Sequence, residues 1–183
     1  VRSLARQLKQ SVLSIEEYDQ AIAAAMESHA DKGIFCSLPG AGAALAPRLL
    51  AAFGSDRSRF DSASEVQKMS GIAPVTRRSG RSMQVGRRLA CNRYLRQTFH
   101  EFAASSVLYS TWAKAYYDHQ RSCGKRHHAA VRALAFKWIR VLYRCWADRV
   151  EYNEMAYVTQ LEKRGSPIMK HVAHSENGGQ MAI

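Results

Sequence analysis

Acidic side chains are scarce in this chain of 183 residues: 15 Asp and Glu stand against 27 Lys and Arg, a formal net charge of +12. Such an excess points to a polyanionic partner. Long apolar runs are missing as well. None approaches the roughly 20 residues that span a bilayer, and Lys or Arg interrupts each candidate, so neither a membrane span nor a membrane partner is expected. No charged, apolar and small-residue succession of a signal peptide opens the chain. It begins with Val1 rather than Met, and we expect a piece of a longer protein. Cysteine pairs are absent: Cys36, Cys91, Cys123 and Cys145 lie far apart and read as free thiols. Cys123, His127 and His128 lack a fourth ligand and the spacing of a zinc site, so no metal is expected on this chain. Global disorder is excluded, because 46% hydrophobic residues suffice for a core.

What is present reads as helix. Val1, Leu4, Leu8, Ser11, Ile15, Tyr18, Ile22, Ala25 and His29 fall at successive a and d positions of a heptad. Residues 1–33 therefore form a coiled-coil-like helix, closed by Gly33, that packs on its own domain or on a partner helix. Residues 34–165 form a helical domain. Its first part, about 36–54, has the form of a helix-hairpin-helix around Leu38-Pro39-Gly40-Ala41-Gly42, with a helix from Gly42 to Gly54. Ser62 and Glu65 have the spacing of a capping box and open a short helix to about Ser70. Helices follow over about Leu89–Leu108, Thr111–Ser122, Arg126–Val150 and Asn153–Lys163. Between them, residues 71–88 hold Pro74, three glycines and five arginines with little periodicity, predicting one long irregular basic loop or hairpin. Residues 166–183 are expected to be a disordered tail. The fold class is all-α.

Two long stretches contain no acid at all. From Glu65 to Glu101 the charged residues are Lys68, Arg77, Arg78, Arg81, Arg87, Arg88, Arg93 and Arg96. From Asp118 to Asp148 they are Arg121, Lys125, Arg126, Arg132, Lys137, Arg140 and Arg144. A solvated face mixes both signs, whereas single-sign stretches rich in Arg suit a polyanion groove. Gly40 and Gly42 would let a phosphate approach the backbone and the next helix start, or would serve only a tight interhelical turn. Ser79, inside Thr76-Arg77-Arg78-Ser79-Gly80-Arg81-Ser82, could attack a phosphodiester while arginines stabilise the developing charge. It could equally be a hydroxyl that only hydrogen-bonds a phosphate.

These pieces, with Gly71-Ile72-Ala73-Pro74-Val75, Gly86-Arg87-Arg88 and Asn92-Arg93-Tyr94-Leu95-Arg96, resemble the C-terminal transposase domain of the insertion-sequence one-ten family over roughly Cys36–Val150. Those are DEDD transposases, also described as bridge-RNA-guided recombinases. The resemblance implies that Ser79 is the catalytic serine forming a phosphoserine link to DNA. Gly40, Gly42, Arg77, Arg78, Arg81, Arg87, Arg88, Arg93 and Arg96 are the nucleic-acid-binding candidates. It implies an N-terminal RuvC-like domain whose four acidic residues bind magnesium; no strand with such residues is present here, so no cofactor is expected on this chain and the fragment alone should be inactive. It further implies a structured guide RNA, a homo-oligomer joined through residues 1–31, and a place in the bacterial cytoplasm at the nucleoid. In one departure, Cys91 stands where the family often has Gly. Two other readings are a non-catalytic helix-hairpin-helix module that positions nucleic acid, and an oligomerisation domain.

Overall fold

Three tryptophans mark the centre of the protein. In the computed structural model, which describes residues 2–168, Trp112, Trp138 and Trp146 are completely buried. A buried indole must place its N–H on an acceptor or forfeit a hydrogen bond. Trp112 Nε1 donates to the Tyr152 hydroxyl at 2.7 Å, Trp138 Nε1 to Ser106 Oγ at 2.7 Å, and Trp146 Nε1 to the Gly54 carbonyl at 2.7 Å.

Around them the chain forms α1 (Arg2–Glu27), α2 (Lys32–Cys36), α3 (Gly42–Phe53), α4 (Ala63–Met69), a hairpin of β1 (Val75–Ser79) and β2 (Ser82–Gly86), α5 (Arg93–Ser106), α6 (Thr111–Ser122), α7 (His127–Asp148) and α8 (Glu154–Lys163). The fold is all-α apart from that hairpin. Helix α7 is the axle. Its stripe of Val131, Leu134, Trp138 and Leu142 is fully buried, and α4, α5 and α6 pack around it. Trp138 lies 4.6 Å from Trp112 and 5.1 Å from Phe102 between ring centroids, and Trp146 lies 5.5 Å from Phe53. No helix among the described residues is long and apolar enough to cross a membrane.

Helix starts follow local chemistry. The side chains of Asn92, Ser110 and Asn153 accept from Leu95 N, Ala113 N and Ala156 N and so cap α5, α6 and α8. The capping box expected at Ser62 forms by halves. Ser62 makes no side-chain cap, while Glu65 Oε2 accepts from the backbone of Asp61, one residue earlier. Asp31 is buried and takes both Nη atoms of Arg57 at 2.6 Å, joining the α1–α2 connection to the turn after α3. That pair holds the Asp31 carboxyl below its ordinary range.

Three expectations change. Gly33 does not close the first helix: α1 ends at Glu27, and Gly33 lies inside α2, where the Glu151 carboxylate leans on it. Helix α1 packs on its own domain only at its C-terminal end, against α3. Met26 is its one buried residue among those described, and Leu4 and Tyr18 are each 70% exposed. Residues 75–86 are not irregular but a regular antiparallel ladder, Val75↔Gly86 through Ser79↔Ser82, turned by Gly80 (φ 53) and Arg81. Glycine at a left-handed position is what a two-residue hairpin turn needs. Of the tail expected to be disordered, residues 169–183 lie outside the described residues. Ser166 N bonds the Leu161 carbonyl and Ile168 is buried.

A two-stranded hairpin is marginal alone, so its base carries it. The Ala73 amide bonds Gln67 O at 2.9 Å and the Asn92 amide bonds Met69 O at 3.2 Å. Gly71 (φ 69) lies where a Cβ would strike Cys91. Gly71→Ala should therefore cost roughly 2–4 kcal/mol in chemical denaturation, from left-handed strain plus overpacking. Adding Cys91→Gly should recover the packing part alone; full recovery or none would refute this account of the base.

Candidate nucleic-acid interface

The register of the hairpin sorts its side chains. Alternate residues of a strand face opposite ways, and directly paired residues share a face. Arg77 and Ser79 thus lie with Gln84 and Ser82, whereas Arg78 lies with Thr76, Met83 and Val85 on the other side. Arg77 is the arginine aligned with the Ser79 hydroxyl. Arg78, adjacent in sequence, is turned away. Ser79, Arg77, Arg78 and Arg81 are all exposed, and no carboxylate or imidazole hydrogen-bonds Ser79 among the described residues. Met83 and Val85 are 61% and 62% exposed.

Below the hairpin the two acid-free stretches meet. Burial, reinforced by the nearby charges of Arg87 and Arg96, lowers the proton affinity of Arg132, from α7. Arg96 Nη1 donates to Cys91 Sγ at 3.4 Å, so the cysteine that departs from the family's glycine is a contact of this cluster. Arg88 is half-buried, and its Nε is buried without a partner. Arg93 is exposed at the start of α5. The nearest acid in sequence, Glu101, is engaged by Arg48 at 2.5 Å and by Gln97 at 2.7 Å. Like charges held together without counter-charge form an anion site.

Three histidines extend the cluster. His100 stacks on His128 with centroids 5.5 Å apart, His128 contacts His127 at 5.0 Å, and His127 Nδ1 shares a hydrogen bond of 2.9 Å with the Tyr117 hydroxyl. Burial, reinforced by His128, holds the His100 imidazole below its ordinary range. Arg132 and these histidines were not among the site residues expected from sequence. Arg132 stood in the second acid-free stretch, but only the packing of α5 on α7 shows which member of that stretch meets the first.

The two glycines lie elsewhere. Gly40 (φ 77) packs on the far end of α5: its carbonyl accepts from Ser105 Oγ at 2.8 Å, and a Cβ there would meet Ser105 Oγ at 2.8 Å and Tyr109 at 2.9 Å. That position needs glycine for packing. Gly42 (φ 54) is open, with nothing near a Cβ, at the start of α3. At 1.5 Å per residue, Ser105 stands about 18 Å along α5 from Arg93. The glycine turn thus lies at the end of α5 opposite to the hairpin base.

Comparison with known proteins agrees with the sequence resemblance. Residues 32–118 match the transposase family IS116/IS110/IS902. The chain is 37% identical over 152 residues to the IS117 mini-circle protein of Streptomyces coelicolor, which carries a transposase name. It is 34% identical over 154 residues to the 42 kDa protein of insertion element IS900 from Mycobacterium paratuberculosis. It is 31% identical over 152 residues to the 43.6 kDa protein of IS110 from S. coelicolor. These matches cover 83%, 84% and 80% of this chain but only 37%, 39% and 37% of the relatives.

Two outcomes test the site. Arg87→Ala/Arg96→Ala should weaken binding of every duplex sequence alike, by about tenfold, and lower the salt slope of log K by about 2; an unchanged slope would remove both residues from the site. His100 binds its proton less readily folded than unfolded. Its stabilising contribution is therefore full above the ordinary value of 6.5 and lost as pH falls through the lower folded value. The melting temperature should drop on acidification from about pH 7.5 to about pH 5.5, and His100→Gln should flatten that drop.

Proposed function

The chain belongs to the IS116/IS110/IS902 transposase family, and from that premise we propose that it is the serine-bearing C-terminal part of a DNA transposase. Ser79 Oγ attacks a DNA phosphodiester. A new P–O bond to serine forms as the bond to one sugar oxygen breaks, and the serine proton ends on that departing hydroxyl. Attack by another strand's hydroxyl reverses the step and frees the serine, so the phosphate is passed between strands without loss of an ester bond.

The observation that carries the proposal is the hairpin. It sets Ser79 beside the turn, clear of the body, with Arg77 on the same face and Arg81 in the turn. Arg77 fits the role of neutralising the charge that develops on the attacked phosphate. Arg87, Arg96 and Arg132 would hold neighbouring phosphates and set the register of the strand. Gly42 and Arg93 would make further backbone contacts. Gly40 fits such a role poorly, since α5 already occupies its approach.

The magnesium that the resemblance implies does not fit the residues of this chain. Among the described residues no three His, Cys, Asp or Glu side chains converge to hold a metal ion. The ion belongs, on this reading, to the acidic domain of the whole protein. The structured guide RNA would choose the DNA sequence by pairing. The exposed a and d residues of α1 favour a homo-oligomer through residues 1–31.

The test is covalent trapping. The full-length protein is incubated with magnesium, its RNA and a nicked donor duplex that cannot be religated. A nucleotide adduct should appear on the Ser79 peptide by mass spectrometry and vanish in Ser79→Ala, which should still bind DNA within about twofold of the parent. Cleaved DNA with no adduct would make this part a non-catalytic module that positions nucleic acid.

A further inference from the structure

A second basic site lies away from the hairpin. Helices α7 and α8 diverge around a half-open cleft of ≈ 600 Å³. That falls within the roughly 300–1,000 Å³ of small-ligand sites. Its apolar wall includes Val141 and the half-buried ring of Tyr157, which is packed from behind by Trp112 at 4.9 Å. Its cations are Lys137, Arg140, Arg144 and Arg164.

Their counter-charges are few. Arg144 is paired with Asp148 at 3.0 Å, and the Glu151 carboxylate leans toward Gly33. Lys137, Arg140 and Arg164 have no acidic partner among the described residues. The Lys137 ammonium stands 4.7 Å over the Tyr116 ring, and burial, reinforced by Arg140, lowers its affinity for a proton. Three cations without acidic partners, Arg140 and Arg164 exposed and Lys137 half-buried, give the rim a positive potential that draws an anion. An aromatic wall with cations at phosphate reach is how proteins hold unpaired strands: the ring takes a base and the cations take the backbone. Arg140 and Arg132 are eight residues apart on α7, about 12 Å along its axis, so one strand can run from the hairpin base to this cleft.

We propose that the α7–α8 cleft binds a nucleotide unit of an unpaired nucleic-acid strand, with its base against Tyr157 and its phosphates on Lys137, Arg140 and Arg164. The proposal rests on the nucleic-acid reading above but not on Ser79. The cleft distinguishes an unpaired strand from a duplex, whose bases are turned inward. DNA and RNA share the chemistry it recognises.

The experiment uses the whole chain and fluorescein-labelled 12-residue oligonucleotides: one RNA, its DNA counterpart, and the DNA duplex. Arg140→Ala/Arg164→Ala should weaken at least one single strand by about tenfold and the duplex by less than about threefold, with an unchanged melting temperature. Loss on RNA alone or on DNA alone identifies the strand. In parallel, a strand carrying 4-thiouridine or 4-thiothymidine is photo-crosslinked. The adduct should map to the peptide bearing Tyr157, and should persist in an Arg77→Ala/Arg78→Ala variant that weakens the hairpin. Wild-type affinity of the Arg140/Arg164 variant for both single strands, or adducts confined to residues 75–96, would overturn the cleft. Loss of duplex binding in the hairpin variant alone would leave the interface reading intact while the cleft fails.

Discussion

Three indole N–H groups, each buried and each answered by one acceptor, govern where the segments of this protein can lie. The acceptors are Gly54 O, Ser106 Oγ and the Tyr152 hydroxyl. All three sit at helix ends or in connections, where the chain changes direction. Tryptophan therefore does more here than fill volume. Because leaving such a donor unpaired costs about 1–3 kcal/mol, the turns after α3 and α5 and the approach to α8 are held to α6 and α7 by directional bonds. The Tyr152 hydroxyl passes the chain on to Glu154, which also accepts from Ser110 Oγ, the cap of α6. A rigid body of this kind is what allows one hairpin to stand away from it.

Charge is distributed by the opposite logic. Five acids are paired with cations among the described residues: Glu27 with Lys32, Asp31 with Arg57, Glu101 with Arg48, Asp118 with Lys114 and Asp148 with Arg144. The cations without acidic partners group at the hairpin base and along α7. Charges of one sign held on rigid helices cannot relax away from each other. The repulsion is kept until an anion joins them.

Much of the fold was legible in the sequence because it is written in short-range chemistry. Thr111–Ser122 is recovered residue for residue; the structure shows Ser110 capping its start and Gly124 (φ 82) just past its end, signals that act within four residues. The buried stripe of α7 follows from its period. The hairpin was less legible: its strands mix Val75, Thr76 and Val85 with Arg, Ser, Gln, Met and Gly without a clean alternation, and their pairing depends on Gly80 and on the anchoring of Gly71 against Cys91, a contact across twenty residues. The fate of α1 was not legible either, since a heptad states that a seam exists and not what covers it. Ser79 and the first arginines could be named in advance. The company of Arg132 and the separation of Gly40 could not, because both are decided by how α5 lies against α7 and the turn before α3.

Strand pairing gives the hairpin a property that its composition does not reveal. Side chains alternate strictly across a ladder, so face is a matter of parity. From Ser79 to Ser82 the count includes Gly80 and Arg81 alone. Letters in β1 and β2 can be exchanged with the serine still beside Arg77. Inserting one residue between the base and the turn would instead turn the serine toward Met83 and Val85, leaving every existing side chain in the protein intact. For the chemistry of this loop, length is the stricter inheritance than identity.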